Sequence, residues 1–97
     1  MDCTFHAENG VFNYRVGAII LDGTRVLMTK SEGCGYYYSV GGRVKLGETA
    51  EQAVLREVFE ETGVHAEIER LGFVHENFFT SDFGLNCGLR YHELSLF

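Results

Sequence analysis

Glu57, Glu60 and Glu61 follow Arg56 inside one run, GRVKLGETAEQAVLREVFEETGV, from Gly42 to Val64. On a helix, at about 100° per residue, the three acids fall within an arc of roughly 100°. Carboxylates so close repel one another and weaken the helix by a few tenths of a kcal/mol. A divalent cation would turn that cost into binding energy. Hard cations such as magnesium take oxygen ligands, so the pattern reads as a metal-binding helix with a divalent cation as its natural occupant. The competing reading of such a face is a solvated acidic stripe.

The helix that must carry these acids is well marked. Residues 49–62 are good helix formers, Thr49 or Glu48 stands at the cap, and Gly63 supplies the left-handed stop. Ala50, Val54, Leu55 and Val58 form an apolar stripe that should pack on a sheet, leaving Glu57 and Glu61 along its border. Before it, Arg15–Leu21 and Val26–Lys30 flank an Asp22-Gly23 turn and read as a hairpin. A flexible stretch, Ser31–Gly35, precedes Tyr36–Val40, which reads as a strand feeding a loop at Gly41-Gly42. Beyond the helix, His65–Leu71, Phe73–Phe79 and Arg90–Phe97 read as strands, with Thr80–Gly88 as a connector.

With 97 residues, no proline and 45% hydrophobic residues, the chain suits one small domain over 1–97. The last segment ends while still reading as a strand, so the domain is expected to be incomplete at its C-terminus. No apolar stretch approaches the roughly 20 residues of a membrane span, so no membrane association is expected. The net charge is −6, with seven of the 14 acidic residues between Glu48 and Glu69. That field argues against binding a nucleic-acid duplex, and a polyanionic substrate would need a metal to invert the local sign. Cys3, Cys34 and Cys87 lack a C-x-x-C spacing and suit free thiols in a reducing cytoplasm. His6, His65, His75 and His92 are too scattered to suggest a zinc site.

Gly42, Glu48, Arg56, Glu57, Val58, Glu60, Glu61, Gly63 and Val64 reproduce without mismatch the spaced signature of the Nudix hydrolases, the MutT-like family, which this chain therefore resembles. Val40 stands where a proline often precedes the two glycines. The resemblance covers about a quarter of the chain. It implies an α/β fold, a mixed β-sheet in an α/β/α sandwich, with the C-terminal helix missing here. It also implies hydrolysis of a nucleoside diphosphate linked to another moiety, by water attack on phosphorus, with Mg2+ or Mn2+. Glu57, Glu60, Glu61 and the Gly41 carbonyl are then the expected ligands, Glu60 the expected base, and Arg56 the group that orients the acids.

Other positions stay open. Glu48 is either a capping acid favoured by the helix dipole or a second-metal ligand. Glu76 and Glu93 are candidates for an extra downstream ligand, against the ordinary reading of solvent-facing strand acids. Tyr36, Tyr37 and Tyr38, and Phe78, Phe79 and Phe83, could border a base pocket, although packing is the commoner role for such rings. An uncovered apolar sheet face would favour a homodimer. The main functional alternative is a nucleotide-binding or regulatory module without turnover. An acidic helix serving only protein contacts would not explain the spacing of Gly42, Arg56 and Gly63.

Overall fold

A computed structural model describes residues 1–29, 37–80 and 89–97. The elements in order are β1 (Thr4–Ala7), β2 (Gly10–Ala18), β3 (Leu21–Asp22), β4 (Arg25–Val26), β5 (Met28–Thr29), β6 (Tyr38–Arg43), α1 (Ala50–Thr62), β7 (Val74–Thr80) and β8 (Arg90–Leu96). The main sheet runs β5-β6-β2-β8-β7, and β1 also pairs with β2. Among the described residues only β2 and β8 pair in parallel, so the sheet is mixed, as the family resemblance implied. β2 is the spine: β8 lies along one side of it, while β1 and β6 share the other side end to end.

α1 is set by its ends. Thr49 accepts the Gln52 N–H, and Gln52 returns a bond to the Thr49 N–H, a reciprocal cap that satisfies two otherwise orphan donors. Gly63 closes the helix at φ 75°, where a side chain would be strained. The helix lies against β6 and β2. There Val16, Val44 and Ala53 form the buried centre, with Tyr14, Ala50, Val54 and Leu96 around them. Each fully buried valine contributes on the order of 1.5–3 kcal/mol. The expected stripe is thus partly right: Ala53 replaces Leu55 at its centre, because the sheet meets the helix slightly off the predicted face.

Several expectations are corrected. Gly41 and Gly42 lie inside β6, not in a loop, paired with Gly17 and Val16 of β2. His65–Leu71 forms no strand, and β2 ends at Ala18 rather than running to Leu21. The hairpin at Gly23 is present with the expected positive φ of 62°, but it joins the two-residue strands β3 and β4. The α/β class with one helix on a mixed sheet agrees with the expectation, since α1 is the only helix among the described residues. The expectations for Lys30, Ser31–Gly35, Tyr36, Cys34, Phe83, Cys87 and most of the Thr80–Gly88 connector lie outside the described residues. Cys3 is a free thiol. Among the described residues no helix is long and apolar enough to cross a membrane.

Candidate active site

Arg56 is the hub. Its Nε and Nη2 grip the two Glu48 oxygens at 2.7 and 2.9 Å, a fork that only guanidinium geometry allows. Nη1 donates to Glu57 Oε1 at 2.7 Å and to Glu60 Oε2 at 3.3 Å, and Nη2 also donates to the Arg43 carbonyl at 3.0 Å. Glu48 accepts a further bond from the Lys45 N–H at 3.0 Å. Arg56 therefore ties the turn before the helix, the end of β6 and the acid face into one unit. Its bond to Glu48 holds the Glu48 carboxyl down at about 2, well below its ordinary 4.5, and pushes the Arg56 guanidinium upward in return. Glu48 is not the cap, since Thr49 fills that place. Glu48 anchors the arginine.

The glycines of β6 make room for the acids. A β-carbon on Gly42 would sit 2.5 Å from the Glu57 carboxylate, so that carboxylate occupies the space a side chain would take. The Gly41 N–H donates to Glu61 Oε2 at 3.0 Å. Val44 N–H donates to the Tyr14 carbonyl, which makes Tyr14/Val44, and by alternation Val16/Gly42, the hydrogen-bonded pairs. Gly41 then falls on a non-bonded pair. Its N–H and carbonyl both turn away from β2, toward the strand edge where Glu61 stands.

Glu61 is the electrostatically stressed member. Its pKa is raised, first by burial, against the lowering effect of the Gly41 bond, and further by the charges of Glu57 and Glu60; Arg15 offsets part of this. Glu57 is well covered, with its side chain 15% exposed, whereas Glu60 is 51% exposed and held only by the longer Arg56 bond.

Among the described residues no three His, Cys, Asp or Glu side chains stand ready as a metal cage. Arg56 draws Glu48, Glu57 and Glu60 toward itself, and Glu61 turns to Gly41. The donor set nevertheless fits a hard divalent cation in kind: carboxylate and carbonyl oxygens, with a crowded Glu61 that a positive charge would relieve.

The candidates elsewhere do not join this cluster. Glu76 on β7 lies 2.6 Å from His92 Nε2, three strands from β6, or about 14 Å at ordinary strand spacing. Glu93 accepts from Asn13 Nδ2 at 3.0 Å on the opposite face of the sheet. Tyr37 is 65% exposed and Phe78 68%, so neither ring is buried in the core, and Phe78 packs on the His92 ring at 4.4 Å. The backbone groups of Arg43 and Lys45 escape a reading of the sequence. They act through main-chain atoms, which residue type does not disclose; only their place inside the Gly42–Val64 run could have flagged them.

A family model described as NUDIX domain matches residues 11–97. The Caenorhabditis elegans protein designated nudix hydrolase 1 is 46% identical over 76 residues, covering 71% of this chain and 21% of that protein. A MutT-like protein of Streptomyces ambofaciens is 36% identical over 61 residues, covering 63% and 40%. An NAD-capped RNA hydrolase of Actinobacillus succinogenes is 54% identical over 37 residues, 38% of this chain and 14% of that one. The chain thus spans less than half the length of these relatives. The solution structure of the E. coli ORF135 protein shares the fold, with a TM-score of 0.64 at 22% identity over 88% of this chain and 59% of that one.

Proposed function

The chain belongs to the NUDIX domain family, and from that premise we propose that it is a divalent-metal-dependent pyrophosphohydrolase acting on a nucleoside diphosphate linked to another moiety. The observation that carries this reading is the Arg56 network, which fixes Glu57 and Glu60 beside a Glu61 seated on Gly41. An acidic stripe serving solvation alone would need neither the fork to Glu48 nor the close approach at Gly42.

In this reading Glu57, Glu61 and the Gly41 carbonyl would hold Mg2+ or Mn2+, with Glu60 as a further oxygen donor. When bound, the cation would neutralise the phosphates and acidify the attacking water. Glu60, half-exposed and tethered only by the longer Arg56 bond, would accept the proton of the attacking water. Arg56 keeps Glu57 and Glu60 in place and does not touch the reacting atoms. Its grip passes through Glu48 to the turn that starts the helix.

The names of the relatives, MutT-like and NAD-capped RNA hydrolase, favour this reaction class without choosing a substrate, because the matches span only 40% and 14% of those proteins. The test is release of nucleotide or phosphate from a panel of diphosphate derivatives with Mg2+ or Mn2+, repeated with Glu60→Gln and Glu61→Gln. Turnover lost in both variants supports the reading. A wild type that binds nucleotide but cleaves nothing would establish a binding module instead.

A further inference from the structure

β7 ends the strand order β5-β6-β2-β8-β7, so among the described residues one of its two sides has no partner strand. All seven of its residues are exposed. Three of them are large and apolar: Val74 at 56%, Phe78 at 68% and Phe79 at 40%. An open strand of this length offers its backbone to another extended chain, and natural edges are ordinarily blunted by lysine, proline or a bulge. The strand VHENFFT contains neither lysine nor proline, and its register with β8 runs unbroken from Val74 to Thr80.

The ladder decides which backbone groups lie open. The Phe97 N–H donates to the Phe73 carbonyl, one step beyond the Val74/Leu96 pair, so the odd-numbered residues of β7 turn their N–H and C=O toward β8. Val74, Glu76, Phe78 and Thr80 therefore turn theirs outward. This open set is self-complementary. Two copies related by a two-fold axis normal to the sheet pair antiparallel, and with the axis at Asn77 every residue of β7 gains an opposite number. Val74 then faces Thr80 of the second copy, His75 faces Phe79, Glu76 faces Phe78, and Asn77 meets itself. Outward residues meet outward residues, so each exchanges both backbone bonds. No charge directly opposes its like, whereas an axis at Glu76 would set two carboxylates against each other, and one at Phe78 would leave Val74 and His75 unpaired.

We propose that the open side of β7 is an interface with a second copy of this chain, the two strands joining antiparallel about Asn77 into one continuous sheet. The acids of α1 lie clear of it, because β8 and β2 separate β7 from β6. The two Phe78 rings become diagonal neighbours within reach of each other. The interface is small: stable ones take about 20–30 residues a side, and β7 supplies seven. Association should therefore be reversible and concentration-dependent. An extended segment of another protein is the competing occupant; the fit of β7 to its own copy, residue for residue and without a like-charge clash, favours the dimer.

Sedimentation velocity from about 1 μM to 1 mM should take the wild type from monomer to dimer. Asn77→Lys and Asn77→Asp each set like charges against each other on the axis and should each raise the dimer Kd about tenfold or more, with the circular dichroism spectrum unchanged. An equimolar mixture of the two should dimerise at least as well as wild type, because lysine then faces aspartate. Phe78→Pro removes an outward N–H that β8 does not use, so it should keep the fold and weaken the dimer. A wild type that stays monomeric throughout overturns the proposal. So do single Asn77 variants that dimerise as tightly as wild type, and so does a mixture that remains monomeric. Should Asn77→Asp unfold beside its register partner Glu93, Phe78→Pro decides: a dimer as tight as wild type overturns the proposal, and a weakened one supports it.

Discussion

The Glu57 carboxylate stands 2.5 Å from the point where a β-carbon on Gly42 would lie, whereas a β-carbon on the neighbouring Gly41 would meet the Val16 carbonyl at 2.2 Å. One obstacle is the movable end of a side chain, and the other is backbone. Alanine at the two positions should therefore act differently. Gly42→Ala should keep the fold, push Glu57 aside and lower turnover about 100-fold, since small misplacements of catalytic groups cost that much. Gly41→Ala should instead destabilise the sheet by about 1–3 kcal/mol. Urea unfolding and kcat measured on both variants check the contrast; equal stability losses would show that the glycines serve only the sheet.

Arg56→Lys should fail to rescue the site despite keeping the charge. An ammonium cannot hold both Glu48 oxygens, Glu57, Glu60 and the Arg43 carbonyl at once. The expected result is a turnover loss of about 100-fold and a stability loss of about 1–3 kcal/mol. Thermal melting and steady-state kinetics read the two effects separately. A lysine variant with wild-type kcat would remove the positioning role assigned to the guanidinium.

What the amino-acid sequence discloses of the fold and the site depends on the range of each interaction. The ends of α1 are legible because Thr49, Gln52 and Gly63 act through neighbours a few residues away. The acid face is legible for the same reason, as helical spacing alone brings Glu57, Glu60 and Glu61 together. Gly41 and Gly42 mislead toward a loop because glycine ordinarily marks one. Here it is demanded by Val16 and Glu57, which reach it only in the folded chain. The hairpin of β1 and β2 is not signalled by a glycine turn: its two turn residues are Glu8 and Asn9, and Gly10 already pairs with Ala7 inside β2 without a positive φ. His65–Leu71 carries strand-like residues but acquires no partner strand among the described residues, and a strand cannot be settled without one. Phe78 stands out in the sequence as an aromatic candidate, but its alignment with Phe5, Phe12 and His92 does not, because only register across four strands brings these rings side by side.

Glu48 should give the protein an acid-sensitive step. Its carboxyl titrates near 2 in the folded chain against an ordinary 4.5, because Arg56 bonds to the ionised form. The unfolded chain therefore takes up the proton first, and stability from this contact is complete above about pH 5. It should fall as the pH drops from about 4.5 toward 2. Denaturant titrations over that window, compared between wild type and Glu48→Gln, should show a shallower slope in the variant. Parallel curves would mean that Arg56 holds Glu48 no more favourably than water does.

Glu61 should separate metal binding from folding. Its ionised form is disfavoured by burial and by Glu57 and Glu60, so the metal-free protein carries a repulsion that a cation would remove. Glu61→Gln keeps an oxygen for the Gly41 N–H while removing the charge. In the absence of metal it should melt about 1–4 °C higher than wild type, from the relief of like-charge contacts worth a few tenths of a kcal/mol. Adding Mn2+ or Mg2+ should then raise the wild-type Tm and leave the variant nearly unmoved. The crossing of the two series is the informative result, because a purely structural Glu61 would shift both proteins equally on adding metal. A variant that is less stable than wild type without metal would mean that the Gly41 bond needs the charge itself, and that the acid cluster is held together by that bond instead of opposing it.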